Sequence, residues 1–133
     1  MNGYLLDTHV WLWYLRGDES LAARARSHIE SSLERCWLSP VSVWETGLLH
    51  QRGRIRIRGD FRGWVQDARK TLPLQPAPLN TEVAVSSLEV DLPHPDPADR
   101  FLAATARTYD LTLITADRRL LDSPSVETLS ARH

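Results

Sequence analysis

The chain has 133 residues, 42% of them apolar and 25% charged, with a formal net charge of −1 at neutral pH. That length supports one domain with a sizeable core, and the balanced charge excludes a polycation that binds nucleic acid by bulk attraction. Cys36 is the single cysteine, which excludes an internal disulfide and a cysteine zinc site. No apolar run is long enough to span a bilayer, and Asp7 and His9 interrupt any leader-like start, so a cytoplasmic protein without membrane contact is expected.

In chain order, GYLLDT (3–8) is a short apolar run ending in an acid, the pattern of a buried strand. HVWLWYL follows as a short helix stopped near Gly17. Ser20 is placed to cap a helix with Leu21, Ala25, Ile29 and Leu33 on one face and Arg24, Glu30 and Glu34 on the other. RCWLSP suggests a second strand, after which Ser39 caps a helix with Pro40 at its first position. Val41, Trp44 and Leu48 share a face of that helix.

Between Gln51 and Lys70 the chain turns basic: Arg52, Arg54, Arg56, Arg58, Arg62, Arg69 and Lys70 stand against Asp60 and Asp67. RIRIR alternates with period two and predicts a short arm or edge strand, its arginines on one side. Asp60 opens a helix with Phe61, Trp64, Val65, Ala68 and Leu72 at helical spacing. Pro73, Pro76 and Pro78 mark a stiff connection. A weaker helix spans about Thr81 to Leu88. In LPHPDPADRFLAATA, Asp96 precedes Pro97 as an N-cap, and the helix runs to about Tyr109. LTLITA is a strand, and SVETLS a last, edge strand. Strands alternating with helices predict an α/β fold whose parallel sheet is covered on both faces.

Such folds bind ligands at the carboxyl ends of their strands. Asp7, Glu45, Asp96, Asp99 and Asp117 all fall on that side. Each has a structural reading as well. Asp96 and Asp117 suit helix caps, Asp99 suits a capping-box position, and Glu45 suits a solvated helix face. Asp7 is the hardest to dismiss, because an acid ending a buried strand needs a partner. Asp96 is assigned to capping; Asp99, one turn further in, is free to project into the crevice. At about 4–5 Å each pair of like charges costs several kcal/mol in a partly buried site, so protons or cations must compensate. Oxygen donors without a matched thiol or histidine favour Mg²⁺ or Mn²⁺ over zinc.

The segments YLLDTHVWLW, SPVSVWETGLL, DPADRFLAATA and LITAD resemble, in order and spacing, the four acidic motifs of PIN-domain ribonucleases. Among these they most resemble the VapC-type toxins of bacterial type II toxin–antitoxin systems. The resemblance implies a PIN-like three-layer α/β/α sandwich with a central, mostly parallel sheet, as a single domain over residues 1–133. It implies an endoribonuclease that hydrolyses RNA phosphodiester bonds with metal-activated water. Asp7, Glu45, Asp99 and Asp117 would hold Mg²⁺ or Mn²⁺, with Asp7 and Asp99 the most direct ligands. Thr8, Ser42 and Thr115 would support them by hydrogen bonds, and Arg100 would contact phosphate or carboxylate. A homodimer and inhibition by a cognate antitoxin are further implications.

Arg54, Arg56 and Arg58 suit an RNA backbone, an acidic antitoxin tail, or a charged edge that resists aggregation. Most tryptophans are expected in the core, Trp44 and Trp64 among them, with Trp11 or Trp13 left for a partner groove. His9 and His50 are within reach of the site, although structural or solvent-facing histidines are commoner. Two rival functions compete with the nuclease. A phosphoacceptor switch needs a lysine at the site, and Lys70, the one lysine, falls on a predicted surface helix. A haloacid-dehalogenase phosphatase needs an aspartate where His9 stands. A catalytically silent binding module with this fold is the other alternative.

Overall fold

Two adjacent strands with alternating side chains divide the core in two. The computed structural model describes residues 2–93 and 96–133; Pro95, within the proline-rich stretch quoted above, lies outside them. Strands β1 (Tyr4–Leu6) and β4 (Thr112–Thr115) pair in parallel with Leu5 beside Leu113 and Leu6 beside Ile114. Successive side chains of a strand point to opposite faces. Leu5 and Leu113 therefore join one cluster with Val83, Leu102 and Ala103, while Leu6 and Ile114 join another with Val10, Trp11 and Ile29.

Helices cover both faces. α1 (Thr8–Arg16), α2 (Ala23–Ser31) and α4 (Phe61–Thr71) contribute to the second cluster, and α5 (Thr81–Ser87) and α6 (Pro97–Thr108) to the first. β2 (Cys36–Leu38), α3 (Pro40–Gln51), β3 (Gln75–Pro76), α7 (Arg118–Leu121), β5 (Thr128–Ser130) and a 3-10 turn at Leu33–Arg35 complete the described elements. The five strands lie in the order β3-β2-β1-β4-β5, and every pairing is parallel. The expected three-layer α/β/α sandwich is present, its sheet wholly parallel among the described residues. From β1 the chain moves to one side, to β2, and from β4 to the other, to β5. Connections that part in this way open a crevice at the carboxyl ends of the two strands.

The local signals that set this frame act as expected at four helix starts, and Asn80 adds a cap that the sequence reading did not name. Ser39, Asp60, Asn80, Asp96 and Asp117 each accept a backbone N–H as N-cap, and Pro40 and Pro97 occupy first-turn positions. Gly17, at φ 64°, ends α1 in the left-handed region that glycine tolerates.

Three expectations are corrected. Ser20 does not cap a helix: its N–H donates to Asp18 Oδ1 at 2.8 Å, and α2 starts only at Ala23, behind an Ala22 cap that has no side chain to offer. The competing Asp18 turn takes the serine. RIRIR forms no strand. The alternation survives in burial, with Ile55 and Ile57 half-buried and Arg54, Arg56 and Arg58 exposed. The sheet edge beside β2 is taken by Gln75–Pro76, within the stretch read as a connection, since proline is tolerated on an edge strand. Trp44 is not core: 54% of it is exposed, while the buried positions of α3 are Val41, Ser42 and Thr46. Small polar side chains, not the large ring, face inward there. Trp11 is buried and meets the half-buried Trp64 edge-on at 5.6 Å between ring centres.

At the entry to β1, Gly3 leaves no room for a side chain. A Cβ there would collide with the Arg35 carbonyl oxygen and lie 2.9 Å from the Trp37 indole nitrogen. Gly3→Ala is expected to lower unfolding stability by about 1–3 kcal/mol, as overpacking does, measured by denaturant titration; an unchanged midpoint would show that the β1–β2 approach yields freely.

Candidate active site

The central feature is Asp7, the residue directly after β1. Its N–H donates to the Ile114 carbonyl at 3.0 Å, extending the β1–β4 ladder by one bond. Its Oδ1 accepts the Thr8 N–H at 2.7 Å, and its Oδ2 accepts the Thr115 hydroxyl at 2.8 Å. The same Thr115 oxygen accepts the Asp117 N–H at 3.0 Å. One hydroxyl thus fixes two acids at the ends of adjacent strands. Thr8 Oγ1 donates to Ser42 Oγ at 2.9 Å and so locks α1 to α3, the helix that carries Glu45. Thr46 Oγ1 donates back to the Ser42 carbonyl at 2.8 Å. Asp96 accepts the Ala98 N–H at 3.0 Å at the start of α6, which carries Asp99 one turn in.

Asp7, Glu45, Asp99 and Asp117 line one cavity of about 290 Å³. Asp96 lines it as well, although its sequence signal is that of a cap, so the capping role and the crevice position coincide. Sequence reasoning also missed Trp13 and Arg119 as lining residues and left His9 open; all three border the cavity. Arg119 follows Asp117 by two residues, which is the signal available for it, and its guanidinium reaches the Asp117 carboxylate at 3.3 and 3.4 Å. Thr8, Ser42 and Thr115 make the hydrogen bonds given above. Arg100 does not line the cavity: it donates to the carbonyls of Ser87 and Val90 at 3.3 and 3.2 Å and ties α6 to the end of α5. Arg54, Arg56 and Arg58 are exposed on the loop between α3 and α4, and His50 stacks on Phe61, all away from the acids.

Crowding of negative charge shows in the acidities. Burial first, and then Asp96, Asp7, Asp117 and Glu45, push the Asp99 carboxyl up to about 7. Burial pushes Asp7 up to about 6; Glu45 adds to the rise, while the Thr115 and Thr8 hydrogen bonds and the charge of His9 oppose it. The charges of Asp96, Asp7, Asp117 and Glu45 thus reach Asp99, and that of Glu45 reaches Asp7.

Among the described residues, no three of His, Cys, Asp or Glu converge as a ready-made metal cluster. The carboxylates instead ring a cavity large enough for an ion with part of its water shell. A hard divalent ion such as Mg²⁺ is commonly held by only one or two carboxylates and several waters, so the donor set fits such an ion.

With both carboxyls titrating above their ordinary range, the folded protein keeps protons that the unfolded chain releases. The contribution of these two groups to stability therefore falls as pH rises from about 4 to 7 in metal-free buffer. Asp99→Asn removes part of that loss. The variant is expected to melt about 3–6 °C above the wild type near pH 8, with the gap closing near pH 4; a gap independent of pH would refute the shared-charge account.

Comparison with known proteins identifies the family and the fold. The PIN domain family matches residues 4–124. Ribonuclease VapC22 of Mycobacterium tuberculosis is 32% identical over 123 residues, covering 90% of this chain and 91% of that protein. The DNA-bound VapBC structure from Salmonella typhimurium superposes with a TM-score of 0.72 at 14% identity, covering 98% of both chains. FitAB bound to an IR36 DNA fragment gives 0.69 at 24% identity, covering 98% of this chain and 96% of that one. At such identities the structural likeness establishes the fold.

Proposed function

This chain belongs to the PIN-domain family, and from that premise we propose that it is a metal-dependent endoribonuclease, the toxin of a type II toxin–antitoxin pair. The observation that carries the reading is the meeting of Asp7, Glu45, Asp99 and Asp117, from four separate segments, around one cavity at the carboxyl ends of β1 and β4. The 32% identity to a ribonuclease supports the reaction class.

Asp7 and Asp99, the two buried acids, would hold Mg²⁺ or Mn²⁺ most directly, with Glu45 and Asp117 at the rim. Such an ion, when bound, neutralises the carboxylates, polarises a phosphate oxygen and makes water more acidic. The chain's own residues do the rest. Thr115 and Thr8 hold the Asp7 carboxylate in one orientation before substrate arrives. Glu45 and Asp117 accept hydrogen bonds from water and aim it at phosphorus. Arg119 sets a positive charge at the mouth, where a phosphate oxygen can exchange for the Asp117 carboxylate. Arg54, Arg56 and Arg58 contact the RNA backbone further along the strand.

Partners are proposed on the same basis. The relatives' structures are VapBC and FitAB complexes, which supports a cognate antitoxin that silences this protein. The exposed Trp44 and, beside it on one apolar cleft, Leu79 supply surface for a second copy of the chain.

Asp7→Asn and Asp99→Asn are each expected to reduce RNA cleavage by at least about 10³-fold, comparable to losing a major electrostatic group, and to abolish growth arrest on expression. Retained cleavage in both would refute the assignment. For the wild type, co-expression with the antitoxin should relieve the arrest.

Replacing Arg54, Arg56 and Arg58 together with alanine should flatten the dependence of log affinity for single-stranded RNA on log salt by about 2 units. An identical slope would remove the loop from the RNA path.

A further inference from the structure

The carboxylates account for phosphate chemistry, which is the same at every step of an RNA chain. They leave two rings in the same cavity without a role. His9 and Trp13 are four residues apart on α1, so they lie on one face of that helix. Their ring centres are 6.2 Å apart with the planes tilted by 57°, and both line the acid cavity. His9 is exposed. One part of the Trp13 indole packs against the apolar cluster that holds Val10, Trp11 and Leu12; another part borders the carboxylates. An apolar ring surface turned toward charged groups gains nothing from its polar neighbours. It gains from a flat partner that covers it.

We propose that His9 and Trp13 form a shelf that stacks one unpaired nucleobase next to the scissile phosphate. The inference rests on the nuclease reading above and extends it from the phosphate to the base. The two rings meet as an angled corner, too close and too tilted to sandwich a base between parallel faces. The base lies on one ring and abuts the other. Stacking requires no hydrogen-bond match and accepts any base, since every base has a π face. A base held in a duplex is already stacked on both sides and is not available to the corner, whereas loops and single strands offer splayed bases.

The test separates base from phosphate. The full chain, with Mn²⁺ present, is titrated calorimetrically with adenosine 5′-monophosphate, uridine 5′-monophosphate and ribose 5-phosphate, the last of which lacks a base. Both nucleotides are expected to bind about tenfold more tightly than ribose 5-phosphate, the scale of one base stacked on an aromatic ring. The readout is that margin and not affinity itself. His9→Ala, at an exposed position that does not endanger folding, should reduce the margin, and Trp13→Leu should reduce it further. A margin absent from the wild type, or undiminished in His9→Ala, overturns the shelf. If ribose 5-phosphate itself does not bind in the presence of Mn²⁺, the acid-pocket reading fails, and the shelf fails with it. The base-free sugar phosphate thus tells the two failures apart.

Discussion

The hydrogen bond from the Thr115 hydroxyl to the Asp7 carboxylate is the contact on which the site depends. A buried carboxylate in a nearly dry position would swing toward water or take up a proton unless something held it. Here the β1–β4 ladder fixes the backbone of Asp7, and two donors fix its oxygens. The residue that supplies the hydroxyl also receives the Asp117 N–H. The positions of the first and last acids are thereby set by one side chain, although 110 residues separate them in sequence.

Around that contact, ordinary folding devices double as site geometry. Asp7, Asp96 and Asp117 are N-caps, and Asp99 stands in the first turn of α6. Carboxylates at a helix start are favoured by the unpaired N–H groups and the positive end of the helix dipole. The same preference that starts each helix thus collects acids at one edge of a parallel sheet, because every helix here that follows a strand starts at that edge. Burial first, and their mutual repulsion after it, oppose ionisation of this cluster, as the raised pKa values of Asp7 and Asp99 record. The fold therefore carries stored repulsion that a cation, or a bound proton, relieves.

This explains what the sequence made legible. Asp7 and Asp117 could be placed because each follows a strand whose apolar run is plain, Glu45 because its helix follows β2, and Asp99 from the Asp96–Pro97 helix start. The three-layer arrangement followed from the same alternation. What escaped was decided by competition between neighbours. Ser20 lost its cap to Asp18, and RIRIR lost its sheet edge to Gln75–Pro76, whose proline disguises it. Trp44 turned outward because Ser42 and Thr46 take the buried side of α3, where Ser42 bonds to Thr8. None of these three outcomes is visible in periodicity, since each depends on which of two plausible partners arrives at one place. Asp96 escaped for a different reason: a residue with one sufficient structural role was not expected to have a second.

A final step concerns Arg119. Its guanidinium lies against Asp117 at the cavity mouth and is about half exposed. In water such a pair contributes little to stability. Its position gives it another consequence, since it is a cation carried by the chain itself at the border of a surplus of negative charge. On the function proposed above, a divalent ion held by these acids would compete for Asp117, and the guanidinium, whose bidentate geometry suits phosphate, would be left to receive one. The neutralisation needed to keep the acids together without substrate and the positive charge needed to receive substrate would then be supplied in succession, with Arg119 present in both states and only its partner changed.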